Sequence, residues 1–336
     1  MPLSLPRDRI VALLAAARTK RIAVVGDAML DVYLRGDVER ISPEAPVPVV
    51  RVRERRSALG GAANVVQNVR GLGARCDFVA VIGGDSGGTV LREMLAAIAV
   101  APDSLVTIDR PTTTKTRIVA RGQQVVRVDE EEDHDIGSTD VARLIAAADR
   151  AIDRADALIL EDYNKGVLVA AVIERAVSRA KSRGIPIVVD PKYRNFFAYR
   201  GATVFKPNRR ELESALGAEM DLEHPDALPA ALARLGVEHL LLTLGNHGMA
   251  LISSAGAVKR IPTVAREVYD VVGAGDTVTA YLATVLAAGG SPAEAAVIAN
   301  YAAGVEVGKS GAATVSADEV IEAFDDFANS PKREET

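Results

Sequence analysis

The sequence predicts an α/β protein with a doubly wound, mainly parallel β-sheet flanked by helices, and with a small separate β-sheet. Short apolar runs typical of buried strands alternate with longer helical runs, which is the pattern of a parallel sheet with helices on both faces. Two segments rich in proline and β-branched residues interrupt this alternation and favour a second sheet. The 336 residues, 49% hydrophobic and 25% charged, are enough to bury a sizeable core.

The main sheet is predicted from apolar runs that end in polar or turn residues. We expect its strands at Arg21–Gly26, Phe78–Ile82, Ala157–Leu160, Ile185–Asp190, Thr203–Phe205 and Leu240–Thr243. We expect helices at Ile10–Ala17, Ala170–Arg183 and Arg209–Leu216. In such sheets ligands bind beyond the carboxyl ends of the strands, so the polar residues that follow these strands are candidate site residues.

The small sheet is predicted from two segments, at about 34–56 and 107–128, and we call it the lid. The first segment contains three prolines, which helix interiors exclude, and then a β-branched alternation. The second contains two β-rich runs separated by Arg121 and Gly122, as in a hairpin. We therefore expect a single domain over residues 1–336 with the lid inserted into it.

Composition and charge exclude several classes of function. A net charge of −5 gives neither the basic footprint of a nucleic-acid-binding protein nor a basic membrane patch. No run approaches the roughly 18 apolar residues that a transmembrane helix needs. Cys76 is the single cysteine, which excludes an intrachain disulfide and a cysteine cluster for zinc, and fits a cytoplasmic protein.

The most informative motif is the stretch Asp270–Thr277, which lies between an extended-looking run and the apolar helical run Val278–Leu286. Its glycines, Gly273 and Gly275, predict a turn into a helix whose free amides cradle anionic oxygens. A carboxylate in the first turn, Asp276, is placed to take a proton from an alcohol that attacks a phosphate. The motif alone equally fits a helix-terminal carboxylate favoured by the macrodipole.

The stretch Asp270–Thr277 resembles the second signature of the PfkB, or ribokinase-like, family of carbohydrate kinases. The stretch Gly60–Asn64, with glycines further along the chain, resembles the first signature, and the resemblance extends from about Arg21 to Val320. It implies a ribokinase-like fold, with ATP and Mg²⁺ as cofactors. It also implies that Asp276 is the catalytic base and that the amides of Gly273, Ala274 and Gly275 stabilise the transferred phosphoryl group.

The same resemblance implies a set of substrate-binding residues. Asp31, expected in the loop after the first strand, would accept hydrogen bonds from sugar hydroxyls, although a surface turn carboxylate fits as well. Gly60 and Gly61 would let the backbone approach the sugar and Asn64 would bind it, or these three form a glycine turn and a helix cap. Lys192 would neutralise phosphate charge, where a solvated lysine is the alternative.

A third group of residues resembles the nucleotide-binding part of the family. Asn208 and Glu211 match its N-x-x-E motif, in which Glu211 acts on Mg²⁺ indirectly through water. The same spacing fits a capping box, in which Asn208 caps a helix and Glu211 reaches back. The remaining nucleotide candidates fit simple small-residue packing as well, and they are Thr243, Gly245, Asn300 and Gly304.

The stretch Ala303–Ser310 fits a loose P-loop pattern, but we reject that interpretation. A P-loop follows a strand and precedes further sheet, whereas the residues before this stretch look helical and little chain follows it. The resemblance instead implies a monovalent cation such as K⁺, held by backbone carbonyls around Gly308–Gly311.

Three segments resemble one branch of the family, the heptose-7-phosphate kinases of lipopolysaccharide synthesis. They are Arg40–Val49, Glu161–Leu168 and Ala265–Asp270. This implies transfer of phosphate from ATP to the anomeric hydroxyl of D-glycero-β-D-manno-heptose 7-phosphate, giving the 1,7-bisphosphate. The H-x-G-H motif of the cytidylyltransferase in bifunctional forms is absent, which suggests the stand-alone kinase. One departure is Asn164, where we expect glycine or alanine.

A substrate that already bears a phosphate needs cationic partners far from Asp276. The candidates are Arg51, Arg53, Arg117, Arg121, Lys165 and Lys192, although alternating lid arginines also fit a solvated strand face. Two rival functions remain open, a family kinase acting on ribose, a fructose phosphate or a nucleoside, and a non-catalytic sugar-binding regulator. The small sheet also leaves edges that need cover, which predicts a homodimer through the lid.

Overall fold

The computed structural model describes residues 5–222, 228–265, 269–309 and 313–328. The strands of these residues are β1 (Arg21–Gly26), β2 (Ala28–Ile41), β3 (Pro48–Gly61), β4 (Arg75–Gly83), β5 (Leu105–Ile108), β6 (Thr114–Ala120), β7 (Gln123–Glu130), β8 (Ala157–Glu161), β9 (Ile187–Asp190), β10 (Val204–Phe205), β11 (His239–Thr243), β12 (Met249–Ser253) and β13 (Val258–Ile261).

The main sheet has the strand order β13-β12-β11-β10-β9-β8-β1-β4-β5. The strands from β5 to β11 pair in parallel, whereas β12 and β13 continue the sheet as antiparallel strands. Crossover helices join the parallel strands, so the carboxyl ends of β1, β8, β9 and β10 meet at one edge of the sheet. The expected doubly wound, mainly parallel sheet is confirmed.

Helices cover both faces of the main sheet. They are α1 (Arg7–Ala17), α2 (Ala62–Leu72), α3 (Ser86–Ala97), α4 (Ser138–Ile152), α5 (Ala170–Ser182), α6 (Arg209–Leu216), α7 (Leu228–Leu235), α8 (Ala274–Ala287), α9 (Pro292–Glu306) and α10 (Ala317–Ala328). The main sheet has one hydrophobic core on each face, because successive side chains of a strand point to opposite faces. On β1, Ile22 and Val24 pack with α1, α2, α8 and α9, whereas Ala23 and Val25 pack with α4 and α5. None of the helices in these described ranges is long and apolar enough to cross a membrane.

The lid is a four-stranded sheet with the order β3-β2-β6-β7. Strands β6 and β7 form the expected hairpin, and both turn residues have positive φ, 51° at Arg121 and 76° at Gly122, as a two-residue hairpin turn requires. The expectation that Asp31 lies in a loop is wrong, because β2 begins at Ala28 and carries Asp31 within the lid sheet. The division into one domain with an inserted lid stays a prediction.

Candidate active site

A cavity of about 340 Å³ lies between the carboxyl ends of the main-sheet strands and the lid. It contains most of the residues expected from the sequence, which come from segments as far apart as β2 and α8. The expected residues that line it are Asp31, Gly60, Gly61, Asn64, Arg117, Lys192, Asn208, Glu211, Thr243, Gly273, Gly275 and Asp276. The fold therefore brings both glycine motifs and the N-x-x-E motif to one place.

Asp276 lies in the first turn of α8 and is 6% exposed. Its two oxygens accept hydrogen bonds from Asn64 Nδ2 at 2.6 Å and from the Tyr163 hydroxyl at 2.8 Å. Burial raises the pKa of Asp276 to about 6, although these two hydrogen bonds lower it. A carboxylate with this pKa is ionised at neutral pH and is a stronger base than an exposed aspartate, as general-base catalysis requires.

The turn before Asp276 has the geometry expected from its glycines. Gly273 precedes α8 with φ at 97°, in the left-handed region that favours glycine. Ala274 and Gly275 begin the helix, where amide groups have no acceptor within the helix. Since Gly273 and Gly275 line the cavity, these amides form an anion cradle beside the carboxylate of Asp276.

Lys206 and Asp190, to which the sequence analysis assigns no role, complete the sheet side of the cavity. Lys206, 3% exposed at the end of β10, forms an ion pair with Asp190 at 2.7 Å. Burial lowers the pKa of Lys206, but the charge and hydrogen bond of Asp190 counter burial and that pKa stays raised, so the ammonium stays charged. The sequence signal for Lys206 is a lysine directly after a buried strand.

Glu161 lies beneath this pair with both carboxyl oxygens buried and without a hydrogen-bond partner among the described residues. Oxygens of Glu161, Asp190 and Asp276 lie within 4.8 Å of one another, close enough to share a metal ion. However, the ammonium of Lys206 already supplies a positive charge at Asp190. Burial, with the charges of Asp190 and Asp276, raises the pKa of Glu161 well above its ordinary value and thereby favours its neutral form.

The loop after β8 aims Tyr163 at Asp276. Buried Asp27 accepts hydrogen bonds from the amides of Tyr163, Lys165 and Val167, at 2.7, 3.1 and 3.3 Å, and thereby fixes the loop. Asn164, the departure noted in the sequence, has φ at 55°. Asparagine tolerates this left-handed conformation better than most residues other than glycine, which explains how the loop keeps its shape without a glycine.

The lid side of the cavity carries cations. Arg117 forms an ion pair with Asp31, and both line the cavity. Lys115 and Arg127 line it too, although neither was a sequence candidate. Lys165, which was a candidate, does not line the cavity and forms an ion pair with Glu131 at 2.7 Å.

Asn208 and Glu211 form the capping box of α6, which confirms the capping interpretation of their spacing. Both residues also line the cavity, where a role in binding Mg²⁺ and ATP would place them. The second carboxylate oxygen of Glu211 pairs with Lys192. The oxygens of these two side chains are hard donors at the cavity edge, which fits Mg²⁺ held through water. Thr243 forms an isolated parallel β-bridge with Asn208 at the same edge of the cavity.

A larger open groove of about 1570 Å³ adjoins the cavity and shares Asn208 and Thr243 with it. Gly245 lines this groove, as a nucleotide candidate should. Asn300 does not line it but donates a hydrogen bond to the carbonyl of Pro262, which does, and Gly304 lies against Val264. Nucleotide-binding roles for Asn300 and Gly304 stay predictions.

Two expectations from the sequence fall outside the described residues. The carbonyls expected to hold a monovalent cation include Ser310 and Gly311, which are outside them. Half of the segment Ala265–Asp270, namely residues 266–268, is also outside them. The cation site and the conformation before the second glycine motif therefore stay predictions.

Solved structures share this fold. Ribokinase of Arabidopsis thaliana, solved with ribose and ATP, superposes with a TM-score of 0.71 at 21% identity, covering 91% of this chain and 98% of that one. Phosphofructokinase-2 of Escherichia coli, solved with potassium, superposes with a TM-score of 0.74 at 20% identity, covering 93% and 100%. The architecture, a large mainly parallel sheet with a small lid, is therefore the ribokinase-like fold.

The sequence comparisons agree. The chain is 44% identical over 322 residues to bifunctional protein HldE of Rhodospirillum rubrum, which covers 95% of this chain and 65% of the relative. It is 46% identical over 303 residues to bifunctional protein HldE of Gluconacetobacter diazotrophicus, which covers 89% and 63%. The chain thus spans less than two thirds of the length of these relatives. The model of the pfkB family carbohydrate kinases matches residues 19–319, and this chain belongs to that family.

Proposed function

We propose that the protein transfers the γ-phosphoryl group of ATP to the anomeric hydroxyl of D-glycero-β-D-manno-heptose 7-phosphate, in ADP-heptose synthesis for lipopolysaccharide. The observation that carries the proposal is the carboxylate of Asp276 at the amino end of α8, held by Asn64 and Tyr163 in the cavity between the main sheet and the lid. The heptose is supported by the resemblance of Arg40–Val49 and Glu161–Leu168 to heptose-7-phosphate kinases, and by the similarity to HldE proteins.

In the proposed mechanism Asp276 accepts the proton of the anomeric hydroxyl as the sugar oxygen attacks the γ-phosphorus. The bond from that phosphorus to the bridging oxygen of ADP breaks, and ADP leaves. Amides of Gly273, Ala274 and Gly275 stabilise the charge of the transferring group, with Lys192 and Lys206 beside it. Glu211 and Asn208 would hold Mg²⁺ through water, and the ion would supply positive charge to the ATP phosphates.

The groove next to the cavity is the proposed site of the nucleotide. It opens onto the cavity at Asn208 and Thr243, so a triphosphate lying along it would present its last phosphate to the amino end of α8. A monovalent cation such as K⁺ near Gly308 is proposed as well, and the potassium in the phosphofructokinase-2 structure supports it.

The assembly proposed is a homodimer through the lid, in the cytoplasm. Apolar side chains on β3 and β7 support it, because Val52, Val126 and Val128 are 47, 45 and 46% exposed. Paired lids would cover these side chains and the edge strands that carry them.

An ADP-release assay with Mg-ATP tests the proposed function. It compares heptose 7-phosphate, fructose 6-phosphate, ribose and no sugar, with Asp276→Asn as the inactive variant. Turnover with the heptose phosphate alone, lost in Asp276→Asn, is the expected result. Turnover with another sugar would assign the protein to a different kinase of the family, and no turnover with any sugar would favour a non-catalytic sugar-binding regulator.

A further inference from the structure

The cavity face of the lid carries an unusual cross-strand pair. In the antiparallel ladder of β6 and β7, Arg117 lies directly opposite Arg127. Like charges that face each other across a strand pair destabilise a sheet, whereas most other cross-strand pairs stabilise it. Both arginines line the cavity, and so does Lys115, two residues before Arg117 on the same face of β6.

The carboxylates around these cations are shared. Asp129, opposite Lys115 in the ladder, pairs with Lys115 at 3.3 Å and with Arg127 at 2.9 Å. Arg117 pairs with Asp31, which is itself expected to accept hydrogen bonds from the sugar. The side chain of Arg127 is still 49% exposed, compared with 17% for Arg117, so Arg127 retains donors for a ligand.

The other lid and loop cations considered from the sequence are engaged elsewhere. Arg53 pairs with Asp37 at 3.0 Å, and Arg121 donates to the carbonyl of Val38 at 2.8 Å. Lys165 pairs with Glu131. Arg51 forms an ion pair with Glu39 at 3.9 Å. None of these four cations lines the cavity.

The remaining cavity cations belong to two groups on opposite walls. Lys192 and Lys206 follow β9 and β10 on the sheet wall and pair with Glu211 and Asp190, close to the amino end of α8. The second group lies on the lid wall and consists of Lys115, Arg117 and Arg127.

We propose that Lys115, Arg117 and Arg127 form the subsite for the phosphate that the sugar already carries, with Arg127 as its principal determinant of specificity. This inference rests on the proposed function. A phosphate dianion between Arg117 and Arg127 receives charge-assisted hydrogen bonds from two planar guanidinium groups and removes the repulsion between them. A neutral sugar would leave that repulsion in place.

Arg127→Gln tests the inference, with Arg55→Gln as the matched control. Arg55 is an exposed arginine of the lid that lies opposite Leu34, on the face away from the cavity. Each variant is assayed with heptose 7-phosphate and with the unphosphorylated heptose. We expect Arg127→Gln to lower kcat/KM for the phosphorylated sugar by about 10- to 100-fold, mainly through KM, and to leave the unphosphorylated sugar unaffected. Arg127→Lys should recover part of the loss because it keeps the charge.

Equal losses for both sugars in Arg127→Gln, or no loss, would overturn the subsite. A loss in Arg55→Gln equal to that in Arg127→Gln would overturn it too, because charge anywhere on the lid would then suffice. If the wild-type protein turns over neither sugar, the proposed function fails. Calorimetric binding of inorganic phosphate then decides the subsite alone: weaker binding in Arg127→Gln supports it, and unchanged or undetectable binding in both proteins contradicts it.

Discussion

At the scale of single residues, Asp276 is set up as a base by burial. Its pKa is raised to about 6, so the carboxylate is ionised above that pH and protonated below it. We therefore expect kcat to fall as the pH decreases through about 6. Asp276→Asn should lower kcat by about 10²- to 10⁴-fold, as loss of a general base does.

The pH dependence of kcat measures this, with ATP and sugar both saturating and Mg²⁺ in excess. The acid limb should disappear from the residual rate of Asp276→Asn. A wild-type profile that stays flat down to pH 5 would show that proton transfer to Asp276 does not limit the reaction.

Glu161 gives a second prediction at this scale, because burial raises the pKa of its carboxyl and favours the neutral form. Glu161→Gln mimics that neutral form in shape and charge, so activity and the acid limb of Asp276 should stay unchanged. Asp190→Asn is the contrasting variant, since the charge of Asp190 raises the pKa of Asp276 and its loss should move the limb to lower pH. The two pH profiles measure this. A limb that moves in Glu161→Gln as well would show that Glu161 carries a charge.

At the scale of elements, the junction of β3 and α2 depends on a glycine. Gly61 has φ at 55°, and a Cβ there would lie 2.6 Å from the carbonyl oxygen of Asp27. We expect Gly61→Ala to lower the free energy of unfolding by about 1–3 kcal/mol or more, through backbone strain and the close contact together. Denaturant unfolding measures this loss.

Gly122→Ala, in the lid hairpin, is the matched control for Gly61→Ala. Gly122 also has positive φ, at 76°, but a Cβ there would meet nothing within 4 Å. Gly122→Ala should therefore show the cost of the backbone conformation alone, which is smaller. Equal losses in the two variants would mean that the contact with Asp27 contributes nothing.

Elements whose signals are local were predicted closely. The strand β1 and the helix α6 have the expected bounds, because an apolar run and a capping box specify them without help from distant residues. The sequence predicts the first lid segment from about residue 34, whereas β2 begins at Ala28, because Asp31 interrupts the apolar pattern of the strand. Pairing with both β3 and β6 extends the strand through that carboxylate.

At the scale of the whole molecule, the lid is the part of the described chain whose apolar side chains most need cover. Val126→Asp should convert the proposed homodimer to a monomer, because it places a charge where two lids would pack. Phe327→Asp is the control, as Phe327 has the same 45% exposure but lies on α10, away from the lid. Light scattering at micromolar concentration measures the mass. A wild-type monomer, or a dimer that persists in Val126→Asp, would contradict the lid interface.

The sequence by itself determined the alternation of strands and helices, the glycine turns and the capping box, because each follows from the spacing of nearby residues. It also indicated which motifs belong to the site. Tertiary structure decided how they meet: Asn64 binds Asp276 across 212 residues, and Arg117 faces Arg127. Such contacts depend on sheet order and strand register, which local patterns do not specify. For the same reason Lys206 and Tyr163 were recognised only once the fold placed them beside Asp276.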